Sequence, residues 1–128
     1  MKWTVLAIII SLGLVIGAAS LTTKDEGTEV PANNNVGVLD NKQIVEISAK
    51  GGYSPRKSVA KAGVPTILRV NTKGTFDCSI ALRIPSLGLS KNLPPTAETD
   101  IDLGIPSAGI LRGVCAMGMY YFEIDFQA

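Results

Sequence analysis

From Lys42 to Ala128 the chain is written with a period of two, and this alternation constrains the fold more than any other feature. In Thr99-Asp100-Ile101-Asp102-Leu103 acids and aliphatics alternate without a break, and Tyr120-Tyr121-Phe122-Glu123-Ile124-Asp125-Phe126 repeats the pattern. Successive side chains of a β-strand point to opposite faces, so each run marks a strand with one face in a core and one in water. The runs "QIVEISAK", "PTILRVN", "FDCSIALRI", "TDIDLGI", "GILRGVC" and "YYFEIDF" are separated by Gly, Pro, Asn and Ser. No stretch among them carries a competing helical face. Strands of this length and spacing predict an all-β domain, an antiparallel sandwich or barrel, over residues 42–128. About ninety residues suffice to bury one such core.

The first 41 residues have a different character. "MKWTVLAIIISLGLVIGAAS" has one Lys at position 2 and then no charge through Leu21. As a helix, residues 3–21 would reach roughly 28 Å, about the hydrocarbon thickness of a bilayer. Residues 1–21 therefore read as an N-terminal hydrophobic helix acting as a signal anchor, with a cleaved signal peptide as the alternative because Gly17-Ala18-Ala19 offers small residues for cleavage. Either way the rest of the chain is expected outside the cytoplasm, held at the membrane through that helix or released. Residues 22–41, "TTKDEGTEVPANNNVGVLDN", lack periodicity and read as a flexible linker, with "VGVL" as the one stretch able to form an edge strand.

Composition removes several functions. The formal net charge is +1, and Arg56, Lys57 and Lys61 are not interleaved with aromatics, so nothing suggests a nucleic-acid partner. There is no histidine, which excludes imidazole acid-base chemistry and the commonest metal ligand. "AKGGYSP" lacks the Lys-Ser/Thr of a phosphate loop. The pairs Asp100/Asp102 and Glu123/Asp125 alternate with aliphatics, as solvated sheet faces do. No enzyme activity is expected.

What remains is sulfur. Period two puts Cys78 on a face with Phe76, Ile80 and Leu82, and Cys115 on a face with Leu111, closing its strand where "AMGM" begins a loop. Met117 and Met119 sit on that loop, so both methionines other than Met1 lie within four residues of a cysteine. Three outcomes are open for the cysteines. A disulfide would stabilise an exported interaction module by about 3 to 4 kcal/mol. A metal site of thiolates and thioethers would select Cu(I) over harder ions. The third outcome is two inert thiols, with the methionines as core filler.

Three segments carry a family likeness: "QIVEISAKGGYSPRKSVAKAGVPTILRV", "DCSIALRIPSLGLSKNLPP" and "AGILRGVCAMGMYYFEIDF". Together they resemble the cupredoxin-like domains of exported bacterial proteins, in particular the EfeO-type subgroup. The resemblance implies a Greek-key β-sandwich with copper at one end. Cys78 stands where many cupredoxins have their first histidine ligand, Cys115 matches the cysteine opening the ligand loop, and Met117 and Met119 fall where that loop supplies further ligands. Tyr53 and Pro55 are expected beside the site without ligating. Two departures stand out: the histidines of electron-transfer members are absent, and Phe122 replaces a frequent glycine. The implied role is Cu(I) handling, storage or delivery, with a protein partner for metal transfer, ahead of electron transfer.

Overall fold

The computed structural model describes residues 34–128, and the expected N-terminal helix and most of the linker lie outside them. Among the described residues no helix is long and apolar enough to cross a membrane.

Within the described residues ten strands form two sheets that face each other as a sandwich. In chain order they are β1 (Val36–Leu39), β2 (Lys42–Ala49), β3 (Tyr53–Ser54), β4 (Lys57–Lys61), β5 (Thr66–Thr72), β6 (Ala81–Ile84), β7 (Leu89–Asn92), β8 (Ala97–Gly104), β9 (Gly109–Cys115) and β10 (Tyr121–Gln127). One sheet runs β1-β2-β5-β8, with β3 added to β2, and the other β4-β10-β9-β6-β7. The pairs β2/β5 and β4/β10 are parallel and the rest antiparallel. The expected all-β sandwich is thus the observed architecture. The stretch "VGVL" is an edge strand, so ordered sheet structure begins inside the segment read as linker.

Alternation decides the core as expected. In β5 Leu68 and Val70 are buried while Arg69 and Asn71 are not, and in β10 Phe122, Ile124 and Phe126 point inward between Glu123 and Asp125. Val45 and Ile47 join Leu68 and Val70 from one sheet, and Leu82, Ile84 and Cys115 join the β10 residues from the other, in one continuous cluster. Burying each such side chain contributes roughly 1.5 to 3 kcal/mol. Across from the cysteine end, Gln43 of β2 closes the sandwich. Its Nε2 donates to the Lys61 carbonyl at 2.9 Å and to Thr66 Oγ1 at 3.0 Å, and its Oε1 accepts from the Lys61 N–H at 2.9 Å. A buried amide with both ends paired ties β2 of one sheet to β4 of the other without leaving an unsatisfied polar atom.

One sequence expectation fails locally. "FDCSIALRI" is a strand only from Ala81 onward, because Cys78–Ile80 forms a 3-10 turn. Asp77 is its N-cap, accepting from the Ser79 N–H at 2.8 Å, a side-chain-to-backbone bond that competes with strand pairing. The alternation is broken as a result. Ser79 is buried where a surface residue was expected, and Phe76 is 82% exposed where a core residue was expected.

Candidate metal centre

Strand register, not sequence proximity, creates the site. Leu82 of β6 is the cross-strand partner of Cys115 at the end of β9, so the turn just before β6 is brought beside the end of β9. Cys78 lies on that turn, 37 positions from Cys115, and the two Sγ atoms are 2.9 Å apart. Both cysteines are free. Cys115 is 1% exposed and packs within the core, while Cys78 is half-buried and opens the pair toward solvent.

The loop at 116–120 wraps the Cys115 sulfur in backbone donors. It is closed by the Cys115 N–H to the Tyr120 carbonyl at 3.0 Å and the Gly118 N–H to the Cys115 carbonyl at 2.9 Å. Gly118 has φ of +72°, a conformation that costs glycine little and other residues more. The Ala116 N–H binds the Ala81 carbonyl at 2.8 Å, fastening the loop to β6. Burial alone would push the Cys115 thiol up. It is outweighed by the hydrogen bond from Cys78 and by the N–H groups of Tyr120, Met117 and Met119, which hold the thiol below its ordinary value. Cys78 moves the other way, to about 11, through desolvation first and then its bond to Cys115 and the nearby negative charge of Asp77. The two sulfurs are thus inequivalent: Cys115 is arranged to carry charge and Cys78 to hold a proton.

The methionines are placed differently. Met117 and Met119 are 75% and 63% exposed, so the loop brings their backbone N–H groups to Cys115 while their side chains lie at the surface. All four predicted site residues therefore occupy one end of the sandwich, but only the cysteine sulfurs are in contact. Among the described residues no group of three or more His, Cys, Asp or Glu side chains gathers, so a harder, mixed-ligand site is not offered.

Residues around the pair fix it from behind. Tyr53, expected beside the site, is buried, and its hydroxyl donates to the Ser79 carbonyl at 2.9 Å. Its ring meets Phe122 edge-on with centroids 5.0 Å apart. Burial, followed by the charges of Cys115, Cys78 and Asp77, pushes the Tyr53 phenol well above its usual value and keeps it a donor. Asp77 accepts from both the N–H and the hydroxyl of Ser79, and its Oδ2 accepts from the Gly51 N–H at 2.7 Å. The Ser79 hydroxyl leads the groups that hold the Asp77 carboxyl below the usual range. The sequence reading missed Asp77. Its signal was the Asp-x-Ser spacing that begins a capped turn.

Phe122, which stands where the family resemblance led to glycine being expected, is accommodated by Gly113. They are direct partners across β10 and β9, and the ring covers the space where a Gly113 side chain would stand. The Phe122 ring thus fills the core layer at this point of the β9/β10 pair.

The cupredoxin-like domain family matches this chain over residues 10–123. No curated protein matches it. Among solved structures, the chain is similar to the metal-binding domain of the Streptococcus pneumoniae Cu(I)-exporting P-type ATPase CopA, crystallised with Cu(I). The TM-score is 0.69 at 16% identity, covering 80% of this chain and 100% of that one. It is also similar to a copper binding protein solved by NMR in the apo form, with a TM-score of 0.67 at 23% identity over 75% of this chain and 98% of the other. At these identities the likeness speaks to the fold, and it agrees with the two-sheet sandwich described above. Matched over most of its length, the chain belongs to the cupredoxin-like domain family.

Proposed function

We propose that this protein binds copper as Cu(I) outside the cytoplasm and serves copper handling, storage or delivery. The observation that carries the reading is the free Cys78–Cys115 pair, two sulfurs 2.9 Å apart at one end of a cupredoxin-like sandwich. The donor set fits a soft monovalent ion. Two thiolates, with thioethers within a few residues and no imidazole in the chain, favour Cu(I) and leave a divalent ion poorly served. The two sulfurs converge on one point, so a single ion could be held by both once they part to admit it. Cys78 and Cys115 would hold the ion. Met117 and Met119 are long, unbranched side chains that can turn inward to add thioether donors. The two copper-binding structural neighbours support copper as the metal. Bound copper supplies cargo chemistry here. The absence of histidine disfavours rapid Cu(I)/Cu(II) cycling.

The apolar stretch at 3–21 directs the domain across the membrane and anchors it there, or is removed after export. The half-exposed Cys78 then gives a partner protein access to the ion for transfer.

Anaerobic titration of the reduced full-length protein against a chromophoric Cu(I) chelator tests the reading. Tight Cu(I) uptake is expected, and its pH dependence has a definite sign. Thiols must lose protons to bind metal, and the Cys78 thiol sits at about 11. Apparent affinity should therefore fall by at least about ten-fold per unit as pH drops from 8 to 6. A pH-independent affinity, or none measurable, contradicts thiolate binding.

A further inference from the structure

We propose that Asp77 is a positioning residue for the metal centre, its carboxylate acting as a latch that sets Cys78 against Cys115. Its oxygens are already engaged: Oδ1 takes the Ser79 N–H at 2.8 Å and the Ser79 hydroxyl, and Oδ2 takes the Gly51 N–H at 2.7 Å. Three donors on one carboxylate leave it poorly placed to ligate a metal. They join two separate pieces of chain. One is the 3-10 turn Cys78–Ile80, and the other is the turn at 50–52 between β2 and β3, closed by the Lys50 N–H to the Gly52 carbonyl at 2.9 Å.

Cys78 stands directly between the two residues of the latch. On one side is Asp77. On the other is Ser79, fully buried, whose carbonyl accepts from the Tyr53 hydroxyl at 2.9 Å. Both flanking residues are thus tied to the stretch 51–53, which belongs to the sheet of β2, whereas Cys115 belongs to the opposite sheet. Asp77 therefore holds one sulfur of the pair relative to a sheet that does not carry the other. Without the carboxylate the turn keeps its backbone bonds, the Ala81 N–H to the Cys78 carbonyl and the Leu93 N–H to the Ile80 carbonyl, and the Tyr53 bond to the Ser79 carbonyl. It loses the Asp77 clasp across Cys78 and the tie to the turn at 50–52, so Cys78 gains freedom to shift against Cys115. Charge-assisted bonds to a carboxylate are about twice as strong as neutral ones, which suits a short turn that lies outside the strand ladder.

The copper arm of this inference rests on the function proposed above, so the test includes a copper-free arm. In the metal-free full-length protein, two thiols and one glutathione disulfide exchange to give the Cys78–Cys115 disulfide and two glutathione thiols. The equilibrium ratio reads the effective concentration of one cysteine at the other. Asp77→Ala should lower that effective concentration by about ten-fold and Cu(I) affinity by a similar factor, the loss of one strong hydrogen-bonding group. Asp77→Asn should fall between, since its amide oxygen can still accept from Ser79 while its NH₂ cannot accept from Gly51. Asp102→Ala, which removes a comparable bond to the Gly104 N–H at the end of β8, should change neither quantity.

An unchanged effective concentration in Asp77→Ala overturns the proposal, as does a wild-type protein that forms no intramolecular disulfide. Should Asp77→Ala fail to fold, Asp77→Asn decides on the same criterion. Wild-type protein that shows the exchange effect but takes up no Cu(I) defeats the copper reading and leaves the latch standing.

Discussion

Replacing Cys115 with serine is expected to weaken Cu(I) binding by at least about 100-fold while leaving the domain folded. Changes to groups that merely support a ligand already cost 10 to 100-fold, so removing the ligand atom itself should exceed that range. Serine is close to cysteine in shape, and the N–H groups of Met117, Met119 and Tyr120 that face the sulfur can donate to a hydroxyl oxygen instead. What changes is the donor. A hard neutral oxygen replaces a thiolate held ready by its surroundings, and soft Cu(I) gains little from it. Chelator competition on the reduced variant, with a thermal melt alongside, separates lost binding from lost folding. The exposed Met117 and Met119 should each matter less when changed to leucine, and a larger effect there than at Cys115 would reverse the assignment of the principal ligand.

Gly113→Ala is expected to be the most damaging single methyl addition in the domain, destabilising it by about 3 kcal/mol or more. A Cβ at this position would lie 2.2 Å from Phe122 Cζ and 2.3 Å from Cε1. The ring has nowhere cheap to go, since Phe122 is fully buried and packed edge-on against Tyr53. Phe122→Ala should itself cost about 3 to 5 kcal/mol through the cavity it leaves. The double variant should be clearly more stable than the sum of the two, because the new methyl enters vacated space. Chemical denaturation of the four proteins provides the cycle. Strict additivity would contradict the close packing of ring on glycine. The pair also matters for function, since β9 and β10 lead directly into the loop around Cys115.

Much of this fold is legible in the sequence, and where it is not the reasons are physical. Residues in β8 and β10 announce themselves because one face is buried and the other wetter, which writes period two into the text. "KSVAK" and "LSKN" carry no such pattern. Lys57–Lys61 is a strand because it lies parallel to β10, and Leu89–Asn92 because it completes the edge beside β6; these are long-range pairings that a short polar segment does not encode. The turn at Cys78–Ile80 was misread for the opposite reason. There a local force, the Asp77 cap, overrides an alternating pattern that is real in composition.

The site divides the same way. Residue chemistry alone singled out Cys78, Cys115, Met117 and Met119, because sulfur is rare in this chain and concentrated in one segment. That the cysteines meet depends on the register Leu82↔Cys115, which no spacing reveals. The exposure of the methionines follows from the tight turn through Gly118, which turns the loop's N–H groups inward toward Cys115. The supporting layer of Asp77, Ser79 and Tyr53 comes from three elements and is visible only once the sheets are assembled.

X-ray absorption at the copper edge of the Cu(I)-loaded full-length protein tests the central claim most directly. The account predicts a first shell made of sulfur alone, with Cys78→Ser and Cys115→Ser each removing a short thiolate scatterer. A shell dominated by nitrogen or oxygen, or one unchanged by both substitutions, would contradict it.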